Sequence, residues 1–224
     1  MLRYIILDLE MNPVDGKYKE IRKKCKLEII EIGAVMLDEN MVEIDSYKTY
    51  VKPWYSTEIF KKYENLTGIT TNMVVGAPGF ERAFQDFCKW CEKSGEEYRI
   101  YTWSGNDYAQ VRREMKIKNY VMTEKEQEMM KEWYDFQKEF MKKLGLHRAV
   151  GLEKALEYAG IEFKGRQHDA LFDARNTAEL FALARNEEEF TEKLKYVVDA
   201  LQPKELSNSI GDMVDFAALM EQIK

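Results

Sequence analysis

Two acidic residues lie two positions apart within an apolar stretch near the start of the chain. Asp8 and Glu10 interrupt the segment 4–10, whose other residues are Tyr, Ile, Ile, Leu and Leu. Because side chains alternate between the two faces of a strand, both carboxylates are expected to point to the same face. Two acids in a buried strand are unfavourable unless a positive charge compensates them, so this spacing predicts a metal site. An exposed pair on an edge strand is the alternative, and the apolar neighbours count against it.

Two further acids lie at predicted helix starts. Asp107 follows a predicted strand over residues 99–103 and opens a helix, and Asp173 lies near the start of a helix predicted over residues 169–186. Both are candidates for the same site. Acids are also common in the first turn of a helix, where they interact with free backbone N–H groups, so a structural role is the alternative for each. Asp169, which precedes Asp173 by one turn, could be the cap of that helix.

One histidine stands next to these acids in the sequence. The chain has two histidines, and His168 immediately precedes the helix that carries Asp173. A histidine beside a metal site can accept a proton from water near neutral pH, which would make His168 a general base. The alternative is a loop histidine bonded to backbone. His147 follows a predicted helix end at Leu144 and is interpreted as a surface residue.

The elements that must position these residues are predicted from the alternation of apolar and polar positions. Strands are expected at 4–10, 28–37, 42–51, 99–103 and 132–136. Helices are expected at about 80–91, 108–116, 137–144, 151–159 and 169–186, and the basic segment 12–27 is interpreted as a loop. Such an order is typical of a mixed α/β sheet covered on both faces. Ligand sites in these sheets gather at the carboxyl ends of strands, where Asp8, Glu10 and Asp107 are placed.

Composition limits the kinds of function that this chain can have. Its 224 residues, of which 45% are hydrophobic, suit one domain with a small appendage. A net charge of −6 excludes a bulk nucleic-acid coat protein, so any nucleic acid would be held at a local site with the help of cations. Three cysteines favour a reducing cytoplasm over a disulfide framework. No stretch approaches the roughly 20 apolar residues of a membrane span, and we expect a cytoplasmic protein without membrane contact.

Three segments resemble, in order, the exonuclease motifs of the DEDDh superfamily. They are Leu7-Asp8-Leu9-Glu10, Ser104-Gly105-Asn106-Asp107, and the segment 165–178, which reads GRQHDALFDARNTA. Segments 31–35 and 66–70 resemble the usual intervening parts, and the likeness covers residues 3–186. Within that superfamily the chain is most similar to Eri-1-like RNA exonucleases and to bacterial KinA-pathway-inhibitor-like proteins. A lone Asp-x-Glu motif is weak, whereas the ordered set is specific.

The resemblance implies a fold, an activity and a role for each matching residue. The fold would be ribonuclease-H-like, with a five-stranded mixed sheet flanked by helices and strand two antiparallel to the others. The activity would be metal-dependent 3′→5′ exonucleolytic hydrolysis. Two Mg²⁺ or Mn²⁺ ions would be bound by four carboxylates, with His168 as the general base and Met11 against the terminal nucleotide; the four are Asp8, Glu10, Asp107 and Asp173. Because many relatives have threonine or tryptophan where Met11 and Asn12 stand, base and sugar preference do not carry over.

Three functions remain open from the sequence. The first is an exonuclease domain over residues 1–186 that acts on nucleic acid with a free single-stranded 3′ end, RNA rather than DNA by family analogy. The second is a regulatory binding protein that inhibits a signalling kinase, and the third is a proofreading subunit of a polymerase. Residues 187–224 are expected to form a helical extension, divided near Pro203, that packs on the domain or on a protein partner.

Overall fold

The computed structural model describes residues 1–201 and contains a five-stranded mixed sheet in the order β3-β2-β1-β4-β5. Strand β2 runs antiparallel to β1 and β3, whereas β4 runs parallel to both β1 and β5. The predicted sheet, with strand two antiparallel to the others, is therefore confirmed. The strands are β1 Leu2–Pro13, β2 Leu27–Leu37, β3 Glu43–Tyr50, β4 Glu97–Thr102 and β5 Trp133–Asp135.

Helices cover both faces of the sheet. In chain order they are α1 Lys19–Lys24, α2 Lys61–Thr67, α3 Thr71–Val74, α4 Phe80–Glu92, α5 Asn106–Ile117, α6 Glu124–Met129, α7 Phe136–Leu144, α8 Leu152–Tyr158, α9 Ala170–Arg185 and α10 Glu187–Leu201. A 3₁₀ turn, Met130–Glu132, joins α6 to β5. The loop predicted over residues 12–27 is wrong in two places. Strand β1 continues to Pro13, and helix α1 forms within the predicted loop. The sequence did not predict α1 because none of its residues is buried, and an exposed helix needs no periodic apolar face.

Strand β1 is buried on both faces, as its apolar sequence predicts. Leu7 and Leu9 belong to a core shared with α4 and α5, whereas Ile6 belongs to a second core beneath α7, α8 and α9. The side chains of Ile6, Asp8 and Glu10 share one face by alternation. The two acids therefore point toward the layer that contains α9.

Helix α5, which carries Asp107, is anchored by a buried group of charges. The ammonium of Lys118 lies 3.0 Å from Oε1 of Glu28 in β2 and 2.5 Å from Oε2 of Glu114 in α5. Glu28 also accepts hydrogen bonds from the backbone N–H groups of Trp54 (2.8 Å) and Tyr55 (2.7 Å). Buried charges are tolerated when paired and hydrogen-bonded in this way, so the contact fixes α5 against β2.

Helix α10 packs on α7 and α9. Phe190, Leu194 and Val197 are buried in the second core. The further helix predicted beyond Pro203 lies outside the described residues. Within residues 1–201, no helix is both long enough and apolar enough to cross a bilayer.

Candidate active site

The site lies where β1 continues beyond the end of its parallel neighbour. The β1–β4 pairing ends at Leu7 and Thr102, so Asp8 and Glu10 extend past the carboxyl end of β4. Helix α5 begins just after this point, which places Asp107 in its first turn. The geometry is the crevice at a strand end in which α/β sheets bind ligands.

A glycine brings α9 to the same crevice. A Cβ atom at Gly33 of β2 would overlap the backbone of Ala170 and Leu171, so only glycine allows the start of α9 to approach the sheet this closely. Asp169 is the N-cap of α9, as the sequence suggested, and its Oδ1 accepts from the N–H groups of Leu171 (3.1 Å) and Phe172 (3.3 Å). Asp173 follows in the first turn and is buried.

These elements bring the five predicted catalytic and metal-binding residues together. A side-chain oxygen of Glu10, a side-chain oxygen of Asp173 and a ring nitrogen of His168 all lie within 4.8 Å of one another. Asp8 joins the cluster, since Asp107 and Asp173 are the charges that act most strongly on its carboxylate. The residues come from β1, α5 and the start of α9, which lie far apart in the sequence.

The carboxylates of the cluster oppose one another's ionisation. Burial raises the pKa of Asp8 well above its usual range, and the charges of Asp107 and Asp173 add to the effect. Burial, helped by the charges of Asp173 and Glu31, raises the pKa of Glu10 to about 8. Burial also raises the pKa values of Asp107 and Asp173 to about 7.

A divalent cation would relieve this repulsion. The donors are carboxylate oxygens, which are the ligands that Mg²⁺ and Mn²⁺ prefer. Each acid has a raised pKa because burial, together with nearby negative charge, disfavours the ionised form. A bound dication provides the missing positive charge, so the residues fit a metal centre.

His168 adopts an uncommon backbone conformation at the edge of the cluster. Its φ of 60° lies in the left-handed region, which non-glycine residues rarely occupy and which is frequent at functional sites. Its backbone N–H donates to Oδ2 of Asp173 at 3.1 Å. The side chain is exposed, so the imidazole stands between the carboxylates and solvent.

The turn before His168 is fixed by contacts with two glycines. Gly165 has a φ of 90°, and a Cβ atom there would overlap the ring of Phe172. The guanidinium of Arg166 lies over Gly68, at the end of α2, where a Cβ atom would also collide with it. Segments 66–70 and 165–178, which both resembled parts of the DEDDh superfamily by sequence, thus contact each other beside His168.

Two charged residues of the site were missed by the sequence interpretation. Glu31 of β2 is paired directly with Glu10 of β1 and is 1% exposed. The ammonium of Lys48 in β3 lies 3.1 Å from its Oε1. Glu31 had a visible signal, because it is an acid inside an apolar strand, as Asp8 is. Lys48 lies in an alternating polar strand and had none.

Met11 and Asn12 follow the acids on β1, after a bulge between Glu10 and Met11. The Met11 side chain is half-buried against the first core, on the opposite face from the carboxylates. Its contact with a terminal nucleotide stays a prediction. Asn12 is buried; its Oδ1 accepts from the N–H of Phe60 (2.9 Å) and its Nδ2 donates to the carbonyl of Glu58 (3.1 Å).

Comparison with known proteins places the chain in a family. A family model described as Exonuclease matches residues 5–181. The chain is 29% identical over 212 residues to mouse (Mus musculus) ERI1 exoribonuclease 2, covering 85% of this chain and 31% of that protein. It is 28% identical over 221 residues to the probable 3′-5′ exonuclease KapD of Bacillus subtilis, covering 97% of this chain and 96% of KapD. The chain thus spans about a third of the mouse relative and nearly all of the bacterial one.

Solved structures show the same fold. The nuclease domain of 3′hExo, described as a DEDDh family member bound to rAMP, superposes with a TM-score of 0.71 at 24% identity, covering 84% of this chain and 94% of that domain. The fold is therefore ribonuclease-H-like, as expected from the motifs. With the match over residues 5–181, the chain belongs to the Exonuclease family.

Proposed function

We propose that this protein is a metal-dependent 3′→5′ exonuclease that hydrolyses single-stranded nucleic acid from a free 3′ end, with RNA as the preferred substrate. The observation that carries the proposal is the approach of Glu10, Asp173 and His168 to within 4.8 Å, beside Asp8 and Asp107. Relatives described as an exoribonuclease and a probable 3′-5′ exonuclease support the reaction. The exoribonuclease relatives and the rAMP-bound neighbour support RNA.

The four carboxylates would hold two Mg²⁺ or Mn²⁺ ions, because four negative charges balance two dications. Such ions supply Lewis acidity and compensate the charge that develops on the phosphate oxygens. The protein's own part is to fix the acids on three rigid elements, so that the site is formed before substrate arrives. With a net charge of −6 over the chain, the two dications would bring the site to about neutral charge, so that a polyanion could approach it without repulsion from the carboxylates.

His168 is the group that would move the proton. A ring nitrogen accepts the proton of the attacking water as the water oxygen bonds to phosphorus and the 3′ oxygen of the next nucleotide leaves. His168 makes its hydrogen bond to Asp173 through the backbone N–H, so that contact does not use either ring nitrogen. The exposed position allows the imidazole to exchange its proton with solvent between turnovers.

A labelled-strand assay tests this function. RNA and DNA oligonucleotides of matched sequence, labelled at the 5′ end, are incubated with the protein and Mn²⁺. The expected product is a ladder that shortens by single nucleotides, with RNA shortened faster than DNA and EDTA stopping both reactions. A circular single strand is the control, because it has no 3′ end. Cleavage of the circle would show that no free end is needed and would contradict exonucleolytic hydrolysis. Equal rates on RNA and DNA would contradict the substrate preference.

A further inference from the structure

Glu10 and Glu31 form a directly opposed pair of acids across β1 and β2. Like charges at such positions destabilise a sheet unless each is compensated. Glu10 lies in the cluster that fits a metal, whereas Glu31 is compensated by the protein itself. Burial raises the pKa of Glu31, and the Ala170 N–H and the Lys48 ammonium oppose that rise.

The contacts of Glu31 lead to the start of α9. Its Oε2 accepts the backbone N–H of Ala170 at 2.9 Å, and its Oε1 lies 3.1 Å from Nζ of Lys48. The same ammonium lies 2.5 Å from Oδ2 of Asp169, the cap of α9. Lys48 is paired in the sheet with Gly33, the residue on which α9 packs. One lysine and one buried acid thus hold the cap and the first turn of α9 from the sheet side.

Two residues of the site lie at the start of α9, Asp173 in its first turn and His168 directly before its cap. The N–H of Asp173 donates to the carbonyl of Asp169 at 2.9 Å, and the N–H of His168 donates to the Asp173 carboxylate. His168 is also the chain neighbour of Asp169. A displacement of Asp169 would therefore move His168 and Asp173 together, relative to Glu10 on β1.

We propose that Glu31 and Lys48 are positioning residues that hold His168 and Asp173 in register with the acids of β1. The proposal rests on the proposed exonuclease function. Neither residue needs to touch the substrate, since Lys48 acts through the cap of α9 and Glu31 through Ala170, the first residue of the helix. A fixed ammonium at this place also orders the turn before any cation binds. Removal of a group that orients metal ligands in this way typically lowers activity or metal affinity by about 10–100-fold.

The test compares Lys48→Met with a matched control, Arg175→Met. The Arg175 guanidinium makes three hydrogen bonds of 2.8–3.1 Å to Glu43 and so also joins α9 to β3, but away from the cluster. We expect kcat to fall about 10–100-fold in Lys48→Met with little change in KM, and to stay near wild type in Arg175→Met. Lys48→Arg, which keeps the charge and the donors, should recover much of the loss.

Amide hydrogen exchange of the metal-free proteins gives a readout besides activity. Lys48→Met should lose protection at Ala170 and Asp173 and keep it in β1, whereas Arg175→Met should keep protection at both places. If Lys48→Met does not fold, the double variant Glu31→Gln/Lys48→Met is used, because it leaves no unpaired buried charge. Near wild-type kcat together with unchanged protection at Ala170 would overturn the proposal. An inactive wild type would overturn the proposed function alone, and protection at Ala170 would then decide the positioning role.

Discussion

The backbone N–H of His168 donates a hydrogen bond to Oδ2 of Asp173 at 3.1 Å, and His168 holds this contact with a left-handed φ of 60°. A predicted general base and a predicted metal ligand are thus linked through the main chain. The imidazole itself is not needed for the link. Changing the side chain should therefore alter the chemistry while leaving the Asp173 carboxylate in place.

His168→Ala should lower kcat by about 10²–10⁴-fold, the usual loss for a general base. Mn²⁺ affinity, measured by calorimetry, should stay close to that of the wild type, because the proposed role of His168 is to accept a proton rather than to bind the metal. His147→Ala is the matched control and should be fully active, since His147 is exposed in the segment between α7 and α8. A large loss of Mn²⁺ affinity in His168→Ala would instead make His168 a ligand, which its position within 4.8 Å of Glu10 and Asp173 permits.

The sequence was most informative where the signal is local. Alternation along β1 predicted one face for Asp8 and Glu10, and the order of three motifs predicted that Asp107, His168 and Asp173 would join them. The roles of Glu31 and Lys48 could not be predicted in the same way. They arise from the pairing of Glu31 with Glu10, and from the packing of α9 on Gly33, a contact between segments about 139 positions apart. Such contacts depend on the assembled sheet and leave no periodicity in the chain.

The raised pKa values predict how the stability of the metal-free protein depends on pH. Glu10 has a pKa of about 8, and Asp107 and Asp173 have pKa values of about 7, whereas unfolded carboxyls titrate near 4. Between about pH 5 and pH 8 the folded chain therefore binds more protons than the unfolded chain, and the free energy of unfolding falls as pH rises. Carboxyls with lowered pKa values, such as Asp45, titrate below this range and do not reverse the trend.

Urea unfolding in EDTA at several pH values measures this effect. The midpoint should decrease steadily from about pH 5 to about pH 8, and Asp173→Asn should decrease less steeply because it lacks one of the groups. Saturating Mg²⁺ should flatten the wild-type curve, because a cation favours the ionised carboxylates at every pH. A wild-type midpoint that is constant or rises with pH in EDTA would mean that the acids are already compensated without metal.

Asp8→Asn separates metal binding from folding. Burial raises the pKa of Asp8, and the charges of Asp107 and Asp173 raise it further. Asparagine has nearly the same shape and one negative charge fewer, so the substitution should abolish exonuclease activity while relieving repulsion. The metal-free variant should melt at the same temperature as the metal-free wild type or higher.

Saturating metal should then distinguish the two proteins. A cation that binds only the folded state at 100 times its Kd stabilises it by about 2.7 kcal/mol, which corresponds to a rise in Tm of about 5–10 °C for a chain of this size. Asp8→Asn should gain much less, because it has lost one ligand of the site. If Asp8 is instead a structural acid bonded within the protein, Asp8→Asn would melt at a lower temperature than the wild type without metal, and metal would shift neither protein. Four melting curves, for the wild type and Asp8→Asn each with and without Mn²⁺, decide between the two roles, because the predicted order of the metal-free Tm values is opposite in the two cases.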